Sequence, residues 1–267
     1  MNTYRSFFGL TREPFTQDIS IDNLYMLPGL AALTDRVRYA VETGGVNVIS
    51  GEVGSGKSTS LRYATAKLHP SAYRIIALIA HPGTIRELYR QICLCLDHEC
   101  PAHSITILLA TVRGALREIA AQKQTPVLLI DEAHLLRHEV FAQMHTIGQF
   151  DFDSKPLLPI ILAGQNSLLD NLHFHSARPL ASRVLGRSHL EGLKLADMQS
   201  YLKHHLEIAG VHDQLFSEQA IVAIHQGSGG LLRRANLLAR GALMSAAVEK
   251  CTMVAAEHVR IASTEII

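Results

Sequence analysis

Eight consecutive residues, Gly51-Glu52-Val53-Gly54-Ser55-Gly56-Lys57-Ser58, follow the pattern G-x-x-x-x-G-K-[ST] in full. Glycines at this spacing let the backbone curl until successive N–H groups point inward, and a following helix N-terminus adds partial positive charge. Such a loop cradles the phosphates of a nucleoside triphosphate. The expected cradle runs from Gly51 through Glu52, Val53, Gly54, Ser55, Gly56, Lys57 and Ser58 to Thr59. In it Lys57 reaches the β- and γ-phosphates, and Ser58 holds Mg2+.

Val127-Leu128-Leu129-Ile130-Asp131-Glu132 adds the chemistry of hydrolysis. Four apolar residues bury a strand, and two carboxylates emerge at its C-terminal end. Asp131 is suited to the Mg2+ shell, and Glu132 to orienting and activating the attacking water. With Lys57 upstream, the pair points to turnover of ATP rather than to simple retention.

The elements that must position these groups are readable nearby. Val46 to Ser50 forms a short buried strand into the loop, and Ser58 to Lys67 a helix out of it. Tyr73 to Ala80 predicts a second strand, Val127 to Ile130 a third, Leu157 to Ala163 a fourth, and Arg187 to Leu190 a fifth. Between them, Ile85, Leu88, Ile92 and Leu96 mark one helix by their spacing, and a second runs from about Ser104 to Gln122. Near-continuous apolar strands separated by helices imply a parallel sheet covered on both faces. After about Gly192 the pattern becomes all-helical, over Leu195 to Ala209, Ser217 to His225, Leu231 to Glu249 and Ala255 to Ser263. Ser217 is suited to cap the second of these helices.

The order of these features resembles the AAA+ ATPases, and more closely their ExeA-like branch. The resemblance is carried by Phe7-Phe8-Gly9-Leu10 with Glu13-Pro14-Phe15, by the phosphate loop through Thr59, and by Asp131-Glu132-Ala133-His134. Leu162-Ala163-Gly164-Gln165 and Gly229-Gly230-Leu231-Leu232-Arg233-Arg234-Ala235-Asn236 extend it over nearly the whole chain. It implies a P-loop α/β domain with a five-stranded parallel sheet over residues 29–192. A helical lid over 193–267 follows, and an N-terminal segment, 1–28, packs on the ATPase core. Gln165 matches the first sensor position, which contacts the γ-phosphate or the water. Arg183 looks like the arginine offered to a neighbour's ATP, with Arg178 and Arg187 as competitors. Arg233 matches the second sensor, reaching from the lid to the phosphates. Leu231-Leu232 stands where the family usually has Ile-Pro. The Phe8 to Phe15 segment packs near the adenine or serves as plain core.

Composition limits the alternatives. Across 267 residues, 48% are hydrophobic and 18% charged, as in a globular chain rather than a disordered one. No apolar run approaches the roughly 20 residues that span a bilayer, and no leader is evident, so a cytoplasmic protein is expected. Four cysteines then imply reduced thiols. Cys93 and Cys95 sit two apart on a helix and face different ways, which argues against a zinc knuckle with Cys100 and His103. The fifteen histidines show no metal-binding frame.

Short ExeA-like chains are similar to the TnsC-, IstB- and MuB-type ATPases that accompany transposases. The sequence ends at Ile267 without the membrane and cell-wall regions of the secretion form. The resemblance therefore implies a homo-oligomer, a ring or a helical filament, assembling with ATP on duplex DNA to select targets and recruit or stimulate a transposase. The alternative is an assembly ATPase for a secretion or envelope apparatus. A net charge of +1 provides no global basic field. DNA contact would fall to Arg86 and Arg90 on one helix face, Arg113 and Arg117 on the next helix, and Lys123, repeated along an assembly. The loop from Gln149 to Ser154 is a further candidate for facing DNA or a neighbour.

Overall fold

The computed structural model describes residues 3–99, 104–151 and 155–265. The first half of the chain runs α1 (Thr3–Phe7), α2 (Leu30–Thr43), β1 (Val46–Gly51), α3 (Lys57–Ala66), β2 (Tyr73–Ile79), α4 (Ile85–Cys95), α5 (Ile105–Ala121) and β3 (Thr125–Asp131). There follow α6 (His138–Met144), β4 (Gln149–Phe150), β5 (Lys155–Pro156), β6 (Ile160–Gly164), α7 (Ser167–His173), α8 (Arg178–Ala181) and β7 (Val184–Leu190). The chain closes with α9 (Leu195–Ile208), α10 (Glu218–Ser228), α11 (Leu232–Val248) and α12 (Ala256–Thr264). Two compact units result. One comprises Gly29–Glu52 and Lys57–Leu190, the other Met1–Pro28, Val53–Gly56 and Glu191–Ile267.

In the α/β unit five strands form one parallel sheet in the order β2-β3-β6-β1-β7. Of the central strands, β3 and β6 bury apolar residues on both faces because both are covered, while β1 also buries Asn47 and Ser50. In β3, Leu128 and Ile130 join the core built with α4 to α8, while Val127 and Leu129 join the core beneath α2 and α3. The register pairs Ser50 with Gly164 and Ile130 with Leu162, so β1, β6 and β3 end side by side along one edge. Ligand sites of open parallel sheets lie at this carboxyl edge.

Three differences from the sequence reading have physical causes. The fourth sheet strand begins at Ile160 rather than Leu157, just past Pro159, while Pro156 pairs with Gln149 in a short antiparallel hairpin. Proline cannot donate to a ladder, which moves the strand start past it. The last sheet strand is longer than expected, from Val184, and lies at the edge. Cys93 is disulfide-bonded, contrary to the expectation of reduced thiols, whereas Cys95 and Cys251 are free. Cys100 and His103 lie outside the described residues.

In the helical unit, Ser217 caps α10 by accepting the Ala220 N–H at 3.1 Å. The N-terminal segment belongs to this unit. Thr11 donates to the Ala209 carbonyl through its N–H (2.8 Å) and its hydroxyl (2.9 Å). Phe15, nearly fully buried, stacks on His205 with ring centroids 5.3 Å apart and meets Phe216 edge-on. Among the described residues, no helix is long and apolar enough to cross a membrane.

Candidate nucleotide site

Lys57 opens α3 directly after the loop and is almost fully buried. Its ammonium donates to the carbonyls of Gly51 at 3.0 Å and Glu52 at 2.9 Å. An ammonium at this place in the loop can take a phosphate oxygen, because charge-assisted bonds are the stronger kind. The Ser58 hydroxyl, one residue on, donates to Asp131 Oδ2 at 2.7 Å. This joins the helix after the loop to the end of β3. A hydroxyl and a carboxylate are the hard oxygen donors that Mg2+ takes, so Ser58 and Asp131 are the pair that would hold it.

Asp131 Oδ1 accepts the N–H of Glu132 at 2.8 Å. Glu132 itself has φ +53°, a left-handed conformation uncommon for a residue with a side chain. Its carboxylate is partly exposed and lies 3.4 Å from His134 Nδ1. Such local strain is often held at functional positions. Gln165 follows β6 on the neighbouring strand, and its backbone N–H reaches the same His134 Nδ1 at 3.3 Å. Next to it, the Asn166 side-chain amide donates to Glu52 Oε1 at 2.8 Å. The β6–α7 loop thus touches both the glutamate of the phosphate loop and the histidine beside Glu132. The sequence reading missed His134 and Asn166 as site residues; only the pairing of β3 with β6 brings them in.

Val53–Gly56 groups with the helical unit. There Gly54 and Gly56 have φ of +83° and +96°. A Cβ on Gly54 would lie 2.9 Å from Arg233 Cβ, and one on Gly56 2.9 Å from Leu232 Cδ1. The Arg233 N–H donates to the Gly54 carbonyl at 3.2 Å. Arg233 therefore sits on the loop at the start of α11, and Leu232, where proline is usual, packs on Gly56. Ser55 Oγ is buried and has no partner among the described residues, as suits a loop shaped around an absent polar group. Within the α/β unit, Lys57, Ser58 and Asp131 fit ATP with Mg2+, whose bound cation would supply charge neutralisation at the phosphates.

The remaining candidates are scattered. Arg183 lies at the end of α8, half-buried, and its guanidinium donates to the Pro179 carbonyl; Arg178 and Arg187 are exposed. Arg86 and Lys123 are exposed, and Arg90 is half-buried. Arg113 donates to the Gln149 carbonyl, and the guanidinium groups of Arg113 and Arg117 sit over the Phe150 ring at 5.4 and 5.3 Å. These two arginines serve the packing of their own chain. Residues 152–154 of the adjoining loop lie outside the described residues. Glu249, Cys251 and His258 converge closely enough to suggest a metal site. His258 Nδ1, however, accepts the Ala255 N–H at 2.9 Å, which leaves the ring proton on Nε2, 3.1 Å from Glu249. The ring caps α12 and has no nitrogen left for a cation.

Residues 40–172 match the AAA domain family model. General secretion pathway protein A of Aeromonas hydrophila is 32% identical over 91% of this chain, and this chain covers 45% of that protein, less than half its length. Among solved structures, Cdc6p from Pyrobaculum aerophilum superposes with a TM-score of 0.74 at 16% identity, over 95% of this chain and 70% of that one. The Aeropyrum pernix ORC1 protein in complex with DNA gives 0.69 at 16% identity, over 94% and 68%. With the phosphate loop, the paired carboxylates and this parallel sheet on one chain, the protein belongs to the AAA+ ATPases and takes ATP and Mg2+ as its ligands.

Proposed function

We propose that this chain is an ATP-driven assembly switch whose ATP-bound form oligomerises on duplex DNA to regulate transposition, and whose hydrolysis dissolves the assembly. The observation that carries the switch is the Ser58–Asp131 bond beside Glu132, with the β6–α7 loop touching both Glu52 and His134. In this reading Lys57 holds phosphate, Ser58 and Asp131 hold Mg2+, and Glu132 aligns water. Gln165 and Arg233 report the state of the phosphates, and an arginine, Arg183, comes from a neighbouring subunit. DNA contact falls chiefly to Arg86 and Lys123, which are exposed, and then to Arg90, while Arg113 and Arg117 are engaged with Phe150 and Gln149. The DNA complex of a structural relative lends this client some support. A transposase of the same element is the partner the reading implies.

A second reading is favoured by the 32% identity to a general secretion pathway protein: an assembly ATPase for a secretion or envelope apparatus. One experiment separates the two. Binding of a labelled non-specific duplex is measured for wild type with ATP, ADP or no nucleotide, and for Glu132→Gln with ATP, at near-physiological salt. The DNA reading expects cooperative binding with ATP that persists in Glu132→Gln and is lost with ADP. Absence of binding in every state transfers the proposal to the secretion reading. Normal ATP turnover by Glu132→Gln removes Glu132 from the mechanism.

A further inference from the structure

We infer that His134 is the positioning residue for Glu132, and that it carries the state of the Gln165 loop to the catalytic carboxylate. The inference rests on the reading of Glu132 as the group that aligns water. A single ring nitrogen, Nδ1, faces two different partners. The Gln165 N–H points at it from 3.3 Å, and Glu132 Oε2 lies 3.4 Å away. A neutral imidazole nitrogen is either a donor or an acceptor, never both. While Nδ1 accepts from Gln165 it cannot donate to Glu132, and the carboxylate is left without a donor to aim it at water. When the Gln165 backbone moves off, the tautomer with hydrogen on Nδ1 can form, and Nδ1 then donates to Glu132 and holds it in place to align water. The contact is exclusive, so the position of one loop sets the availability of one carboxylate.

The surroundings are built around this ring. His134 is nearly buried. Its backbone carbonyl accepts the Asn171 side-chain amide at 3.2 Å, which ties it to α7. Gly164 has no side chain where His134 lies: a Cβ there would be 3.0 Å from the His134 nitrogen of the main chain and 3.2 Å from Nδ1. The glycine before Gln165 is thus the residue that lets the imidazole reach the loop. The same loop binds Glu52 through Asn166, so movement at the phosphate loop has a route to His134 through residues in direct contact.

The test compares His134→Ala, His134→Asn and Gly164→Ala with wild type, measuring kcat, the affinity for ATP by direct binding, and thermal melting. An asparagine side chain can place a polar atom near the Nδ1 position, whereas alanine cannot. His134→Ala is expected to lower kcat by about ten-fold or more, as misplacement of a catalytic group does, with ATP affinity unchanged. His134→Asn should recover part of that loss. Gly164→Ala keeps the imidazole but displaces it, and should reproduce the fall in kcat. A kcat within two-fold of wild type in His134→Ala overturns the inference. So does a fall matched by lost ATP binding, or one that asparagine does not relieve. Glu132→Gln, run beside them, keeps the two ideas apart. If it turns over normally the role of Glu132 is wrong, and if it is arrested while His134→Ala is not, only the role of His134 is wrong.

Discussion

Asp131 uses its two oxygens for two tasks, one toward the Ser58 hydroxyl and the other toward the Glu132 N–H. The first is the place for the cation, and the second steadies the left-handed turn that aims Glu132. Replacing Asp131 by asparagine removes the charge that draws Mg2+ but keeps an amide oxygen able to accept from Glu132. The fold and the turn should survive. The Mg2+ concentration for half-maximal ATP hydrolysis should rise by at least about ten-fold, the scale on which even outer partners of a metal act. Ser58→Ala, which deletes a neutral ligand, should have the smaller effect of the two. A magnesium titration of turnover decides the matter. If Asp131→Asn shows the wild-type dependence, the cation is held elsewhere.

At the level of elements, what could be read in advance was what lies close together along the chain. The phosphate loop is eight contiguous residues, and the carboxylates end an apolar run, so both declare their chemistry locally. The helix α2 is equally local in its signal: Leu30, Leu33, Val37, Ala40 and Val41 recur at helical spacing before a left-handed Gly44. That spacing is local and is carried by the sequence itself. His134 is a different case. Its meaning depends on a contact with Gln165, 31 positions away, and no local pattern encodes that pairing. The destination of the N-terminal segment was equally hidden, since Phe15 finds His205 on a helix near the other end of the chain. That contact carries its own prediction. Burial, with the charge of His204 added, lowers the pKa of His205 from 6.5 to about 3. In the unfolded chain the ring takes its proton at about 6.5. Between these values the unfolded state binds a proton that the folded state refuses, so stability is present above about 6.5 and is lost as pH falls toward 3. The melting temperature of the wild type should therefore fall more steeply over this range than that of His205→Phe. Parallel profiles for the two proteins would remove His205 from the acid response.

For the whole molecule, the proposed assembly places a demand on one arginine. A guanidinium from a neighbour can stabilise the charge that develops on the transferring phosphoryl group, and this makes turnover conditional on contact between subunits. Arg183 is held at the end of α8 by its bond to the Pro179 carbonyl, which gives it a defined direction. Arg178 and Arg187 are exposed side chains on a short helix and an edge strand, where rotamer freedom is greater. Arg183 is therefore the candidate to test first, by complementation. Arg183→Ala should bind ATP normally, since its own Lys57, Ser58 and Asp131 are intact, yet hydrolyse it slowly at concentrations where wild type assembles. Lys57→Ala should bind no ATP but still present Arg183. Mixed together, the second variant can supply its arginine to the first variant's loaded site, and turnover should exceed the sum of the two measured separately. Arg178→Ala and Arg187→Ala, treated in the same way, serve as comparators. If the mixture does no better than the sum with Arg183→Ala but recovers activity with one of the others, that other residue is the one supplied in trans. If no pair recovers activity, each site works alone, and the coupling of hydrolysis to assembly has to come from the Gln165 loop or from Arg233 within a single chain.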